Sequence, residues 1–426
     1  MHKPGILGRD QRRRGSGAVK NPNTAYILLW FPEPSETFIF REVVNLRRLG
    51  LPLTVFTLYG RLTRSLSPEM RAFSEDVCRL GIPALKHLPK DILYWRKRRP
   101  RIVRRLFRTV LPRRWRSLET TGESLWAFLC GFTLARLFKA SGVEHIHAPW
   151  ASGPATAAWV ASILAGIPFS FTARAGDIYP PDGALCEKIQ ACTFVRTNTG
   201  ANVEYLKRFA GPHSNKIHLI YNGFPISRFR DAPVKMAPPF RLIALGRFAG
   251  KKGYDVLLRA CKLLNERGVD FHLTLAGSGP RGILLKRLCS RLGLNDRVNF
   301  PGFIPYDRVP ELLCSGDIFV MPSVIDKSGD RDGIPNVIME ALLHRLPVVA
   351  SNVSAIGEVI QDGKTGLLVE PGNPEALARG IEKMTNNREA ALAMARNGRA
   401  VVLERFDPEQ NHRKVLELYR KKITPG

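Results

Sequence analysis

Acidic residues are scarce in this chain. Against 65 Lys and Arg stand 37 Asp and Glu, a formal net charge of +28 over 426 residues, and an excess of that size selects anionic partners such as a membrane surface or a nucleic acid. Cysteine is sparse too. Its seven copies (Cys78, Cys130, Cys186, Cys192, Cys261, Cys289 and Cys314) have no close pairing, which argues against a disulfide framework and a zinc site and points to a reducing cytoplasm. Long apolar runs are missing as well. Residues 147–173 carry no formal charge, yet Gly153, Pro154, Gly166 and Pro168 divide them into a short helix and a strand. A helix of about a dozen residues reaches about 18 Å, against a hydrocarbon core of about 30 Å, so it is read as buried within a domain. The first apolar run, residues 27–31, is too short for a secretory leader.

What is present is a globular composition, 44% hydrophobic, long enough for two domains. Residues 1–24 are basic and without apolar period, and are expected to be a disordered tail. From residue 25 a strand, a loop and a helix followed by a second strand give the βαβ opening of a parallel sheet. This rhythm continues to residue 224, breaks in a proline-rich linker at 225–239, and restarts over 240–404. Residues 405–426 are a last helix, expected to pack back toward the first domain. The fold class is α/β: two doubly wound Rossmann-like domains facing a central cleft, where ligands meet the carboxyl ends of the strands. His145 and His147, in a strand, are assigned to opposite faces and so not to a metal pair.

Residues 319–351 read as strand, loop, helix, strand. Pro335 is placed as the first helical residue and Gly333 as a point of close backbone approach, which leaves the amides of Ile334, Asn336 and Val337 aimed out of a helix start that favours a phosphate. Asp332 and Glu340 bracket that anion site. Carboxylates beside a phosphate site suit hydroxyls, and a diphosphate between two polyols is a nucleotide-sugar. After the first strand of the second half, Gly246 and Gly253 bend a loop that carries Arg247, Lys251 and Lys252, cations able to complement a diphosphate. In the first half, strand ends place Ser35, Glu36 and Thr37, and further on Arg174 and Asp177, on the opposite side of the cleft. For Asp177 and Glu36, binding of an acceptor hydroxyl competes with plain capping or turn roles.

Residues 96–116 alternate Ile102, Val103, Leu106, Phe107 and Val110 with arginines at helical spacing. This predicts a basic amphipathic helix, either packed on the core or laid on an anionic membrane face with its apolar side dipped in. No base-reading pattern accompanies the charge, so nucleic acid is not the expected partner.

The stretches GRFAGKKG, AGSGP, GFIPYDRVPELL, SGDIFVMPS, GDRDGIPNVIMEALLHRLPVVAS and GEVIQDGKTGLLVEPGNPEALA together resemble the donor domain of family 4 retaining glycosyltransferases of the GT-B fold. FPEPSETFIFREVVNLRRLG and FSFTARAGDIY resemble the branch that builds colanic acid and amylovoran. The resemblance implies that Glu340 holds ribose hydroxyls and that Arg247 and Lys252 bind the diphosphate. It also implies that the Phe303–Ile304 backbone reads the base and that the amides from Gly333 to Val337 meet phosphate and sugar. No cofactor or metal is implied, only a nucleotide-diphosphate sugar donor and a lipid-linked saccharide acceptor at the inner membrane face. Two positions depart from the family pattern: Asp332 replaces the usual Glu, and Arg174 the usual His. A nucleotide-sugar epimerase of the same fold, and a non-catalytic basic assembly protein at the membrane, share these features.

Overall fold

The computed structural model describes residues 21–61, 66–110, 118–179, 183–226 and 236–423. Most of the expected tail and linker lies outside them. Seven parallel strands form the first sheet: β1 (Thr24–Leu28), β2 (Leu53–Thr57), β3 (Cys78–Arg79), β4 (His145–Ala148), β5 (Phe169–Ala173), β6 (Val195–Thr197) and β7 (Ile217–Leu219). Their spatial order is β3-β2-β1-β4-β5-β6-β7. The second sheet has β8 (Phe240–Leu245), β9 (Phe271–Ala276), β10 (Val298–Asn299), β11 (Ile318–Met321), β12 (Val348–Ser351) and β13 (Leu367–Val369), in the order β10-β9-β8-β11-β12-β13 and also parallel. Both sheets reverse their winding beside their first strand, between β1 and β4 and between β8 and β11. Such switch points open a crevice at the strands' carboxyl ends, and the functional loops of both halves leave from there.

Burial on two faces explains the strand sequences: β1, β4, β5, β11 and β12 are buried throughout. The uncharged run holds a helix, Gly153–Ala165, buried along most of its length. Against it packs a 23-residue helix, Leu118–Ala140. A Cβ on Gly131 would stand 2.6 Å from Val160 Cγ1, so glycine sets how closely the two approach. Among the described residues no helix is long and apolar enough to cross a membrane.

The predicted amphipathic helix divides at Arg99 into Leu88–Arg98 and Pro100–Val110, and residues 111–116 lie outside the described set. Val103, Leu106 and Val110 are buried in the first domain's core with Trp95, while Arg101, Arg104, Arg105 and Arg108 are exposed. This corrects the membrane-dipping expectation for that helix. Its apolar face is already covered by protein, and only its arginines reach outward.

The last helix, Pro408–Ile423, packs on Thr37–Arg48 of the first domain. Val415, Leu416 and Tyr419 complete a core cluster with Tyr26, Ile39 and Val43, and Tyr419 donates from its hydroxyl to that of Tyr26 at 3.1 Å. Gly223 is required where this helix begins, because a Cβ there would lie 2.5 Å from Pro408 Cα. A second tie joins the domains. Glu358 of the second half accepts from the amides of Gly200 and Ala201, both at 2.9 Å, at the start of helix Gly200–Ala210, and from the Tyr221 hydroxyl at 2.8 Å.

Candidate functional site

The loop after β8 and the loop after β11 are built together. Val324 donates its amide to Lys251 O at 2.8 Å, and Gly253, at φ +62°, lies so close to Pro322 that a Cβ would stand 1.9 Å from its carbonyl oxygen. Only glycine fits there. The pairing brings cations and carboxylates into register. Lys252 Nζ donates to Asp332 Oδ2 at 2.9 Å, Ser323 Oγ donates to the same oxygen at 2.8 Å, and Lys251 Nζ reaches Asp330 at 3.1 Å. Asp332, expected to bracket the anion site and meet a hydroxyl, is thus buried against Lys252. Beneath them Tyr254 has a buried hydroxyl with no hydrogen-bond partner, held well above the usual phenol range by burial and by Asp332. Arg247 is exposed, and among the described residues no side-chain bond engages it.

The helix after this loop runs Asn336–Leu343, with Pro335 as its extended N-cap (ψ 126°) and not its first helical residue. The correction is one position, and the helix start remains a donor end: Pro335 O accepts from Ile338 N at 3.0 Å, and the amides of Asn336 and Val337 precede the first closed turn. Glu340 lies inside this helix. It is 4% exposed, and among the described residues its carboxylate has no hydrogen-bond or ion-pair partner, so burial alone lifts it to about 7. It lines a pocket between the domains with Thr37, Phe38, Asn222, Asn336 and Tyr306. Gly333 also faces the other half: a Cβ there would sit 3.5 Å from Ala175 Cβ. Ile334 is half-buried beside Ile304 in the second domain's core, and Phe303 projects with 72% of its surface exposed.

On the first domain, the ends of β1 and β4 enclose a pocket of about 310 Å³ lined by Leu29, Trp30, Glu33, Glu36 and Trp150. Trp30 stacks on Tyr59 at 4.5 Å and is 38% exposed. Burial raises Glu36 to about 7, against the lowering effect of a hydrogen bond from Trp150 and the charge of Arg174. Thr37 opens the adjoining helix, and Ser35 lies in the 3-10 turn Pro34–Glu36 before it. These two tryptophans were not singled out in the sequence; their position one or two residues beyond strand ends is the signal that could have found them.

Two residues expected on the cleft side, Arg174 and Asp177, bond to groups of the first domain. Arg174 is 4% exposed and turned inward: it donates to Asn222 Oδ1 at 2.8 Å and Pro149 O at 3.3 Å, and its guanidinium lies 3.8 Å from Glu42 and 4.6 Å from the centre of the Phe38 ring. Burial lowers it to about 10. Glu42 also accepts from Arg196; burial pushes its carboxyl up, but the two guanidiniums outweigh that and hold it near 2. Asp177 accepts from the amides of Arg174, at 2.7 Å, and of Ala151. Its carboxylate caps and staples the loop, as the competing reading held. The histidine assignment also needs correction, because residues two apart on a strand share a face. His145 and His147 both reach Ser170 Oγ at 2.7 Å, in a buried site that holds them neutral. Among the described residues no group of three or more His, Cys, Asp or Glu converges as metal ligands would.

Residues 226–401, which carry Lys252, Asp332 and Glu340, match the glycosyl transferases group 1 family. They form a glycosyl transferases group 1 domain. Relatives extend the likeness. The putative colanic acid biosynthesis glycosyltransferase WcaL of Escherichia coli is 34% identical over 205 residues, 48% of this chain and 50% of that protein. The amylovoran biosynthesis glycosyltransferase AmsK of Erwinia amylovora is 31% identical over 212 residues, 49% of this chain and 51% of that one. The chain thus spans about half the length of these curated relatives. Solved structures cover more of it. A glycosyltransferase from Rickettsia africae superposes with TM-score 0.69 at 16% identity, over 95% of this chain and all of that one. Anabaena HepE, solved with UDP and glucose, gives 0.65 at 18% over 93% and 99%. With the sheet orders above, these neighbours show the GT-B fold, in which the group 1 domain is the second of two facing halves.

Proposed function

We propose that this protein is a glycosyltransferase of exopolysaccharide biosynthesis, moving a sugar from a nucleotide-diphosphate donor to a saccharide acceptor. The observation that carries the reading is Glu340: a carboxylate that is buried and, among the described residues, without a partner, one turn inside a helix whose first residue, Asn336, lines the same pocket between the domains. Burying an unpaired carboxylate is costly, and the cost is offset where a ligand supplies hydroxyl donors. Ribose hydroxyls supply them. The diphosphate then lies over the amides of Gly333 to Val337, with Arg247 free to fold onto it and Lys252 able to share its charge between Asp332 and a phosphate oxygen. The base meets the backbone at Phe303 and Ile304.

The Trp30, Trp150, Glu33 and Glu36 pocket is assigned to the acceptor. Indole faces cover the apolar faces of a pyranose ring, and carboxylates accept from its hydroxyls. Such a pocket favours transfer over epimerisation, which needs no acceptor. In this reading the reaction retains configuration, with the leaving diphosphate taking the acceptor proton on the face it departs from. Arg174 contributes by fixing the pocket wall through Trp150 and Phe38. The acceptor is proposed to be lipid-linked, and the exposed arginines of Pro100–Val110 to provide attraction to an anionic inner membrane face without insertion.

The test is Glu340→Ala. Calorimetric titration with a panel of nucleotide sugars is expected to show the preferred donor bound at least tenfold more weakly by the variant. Unchanged affinity would remove Glu340 from the donor site and the reading with it.

A further inference from the structure

A separate cavity of about 500 Å³ lies in the first domain, between β2, β3 and the helices Leu88–Arg98 and Leu118–Ala140, away from the groups that form the cleft pockets. Its walls are largely apolar, with Phe56, Leu80, Pro83, Leu137 and Ala140 among them, while Arg79, Lys90 and Arg136 also line it. Two polar atoms in those walls, Thr133 Oγ1 and Arg79 Nε, are buried and have no hydrogen-bond partner among the described residues. The segments that line it also expose large apolar side chains: Ile82 is 80% exposed, Leu85 47%, Leu93 50% and Leu137 42%. Exposed apolar groups gathered on one face mark an interaction surface. The charge around them is predominantly positive, although Asp91 also lines the cavity. Residues 82–110 hold ten Lys and Arg, all but Arg99 exposed, and a single acid, Asp91, which is buried and accepts from Arg136 at 2.7 Å.

We propose that this face binds an anionic phospholipid of a membrane, with an acyl chain in the cavity, the phosphate on the rim cations, and Ile82 and Leu85 entering the hydrocarbon boundary. Charge complementarity selects the occupant. A protein groove of neutral apolar character would not need cations on every side, and a free phosphate would not need the apolar walls. The surface differs from the helix the sequence suggested, since Pro100–Val110 supplies only charge while insertion falls to Ile82 and Leu85. Nothing in this assignment depends on the reaction performed in the cleft.

Vesicle co-sedimentation with the full chain tests it. Wild type is expected to bind vesicles of phosphatidylcholine with phosphatidylglycerol, to ignore pure phosphatidylcholine, and to keep part of its binding in high salt, which screens charge but not insertion. The Ile82→Asp/Leu85→Asp variant, altered only at exposed positions, is expected to bind at least tenfold more weakly and to lose the salt-resistant part, with an unchanged thermal midpoint. A second measurement addresses the cavity. Calorimetry with short-chain phosphatidylglycerol below its micelle concentration is expected to show saturable binding that Thr133→Phe abolishes and inorganic phosphate does not displace. Equal binding by the double aspartate variant, equal binding to neutral vesicles, or unchanged lipid uptake by Thr133→Phe would overturn the proposal.

Discussion

Glu340 and Glu42 show how two buried carboxylates of one chain acquire opposite properties. Glu42 lies between Arg174 and Arg196 and is held near 2, whereas Glu340 has no countercharge and is lifted to about 7. A donor whose hydroxyls need the carboxylate form must first remove the proton, so its affinity should fall as pH drops through 7. With a folded value near 7, binding at pH 6 should be roughly tenfold weaker than at pH 8, a factor of ten per unit below the titration point. Isothermal titration at the two pH values checks this, and Glu340→Gln should flatten the difference. The strand-loop-helix unit that carries Glu340 was legible from sequence because it is local, although Phe38 and Asn222 reach its pocket only through the fold. The Glu42–Arg196 pair was not, since its partners stand 154 positions apart and meet only through the parallel sheet. Arg174 was read as a cleft residue for the same reason: its position in the loop was visible, but not the carboxylate that turns it inward.

At the scale of elements, the site depends on two loops that touch through their backbones. Gly253 makes that contact possible, and Gly253→Ala would set a methyl 1.9 Å from Pro322 O at a positive φ. The variant is expected to lose about 2–4 kcal/mol of second-domain stability, read as a lower denaturant midpoint, because the loops must part and the backbone must leave its native basin. The donor-side elements were readable because strand and helix alternate there with clear glycine and proline punctuation. The helix Leu118–Ala140 went unread: no apolar period marks it, as befits an element packed between Gly153–Ala165 and Leu88–Arg98. The basic amphipathic pattern at 96–116 was real, but an apolar stripe does not say whether protein or lipid covers it. Trp95, Phe128 and Phe132 decide the matter here.

For the whole molecule, the cleft exists because the domains are held face to face, and Glu358 is a principal tie. Its carboxylate serves two amides at a helix start and one phenol hydroxyl, all on the first domain. Glu358→Ala should cost about 1–3 kcal/mol in interdomain contact and show a larger radius of gyration by solution scattering, with weaker donor binding but intact secondary structure. No dimension change would mean that the last helix alone sets the domain spacing. That two domains face a cleft was legible from the repeated βαβ rhythm and the proline-rich break. The latch was not, because Glu358, although inside one of the quoted motifs, acts on a helix from the other half.

The return of helix Pro408–Ile423 to the first domain also bears on how the chain is made. Tyr26 is among the first residues of β1, yet Tyr419, which covers it, follows 393 positions later. At ribosomal rates of about 5–20 residues per second, that gap is roughly 20–80 s. One face of the first domain's core therefore stays unsealed while the second domain is made, and it closes once helix Pro408–Ile423 follows. A nascent chain halted in the second domain leaves that face open.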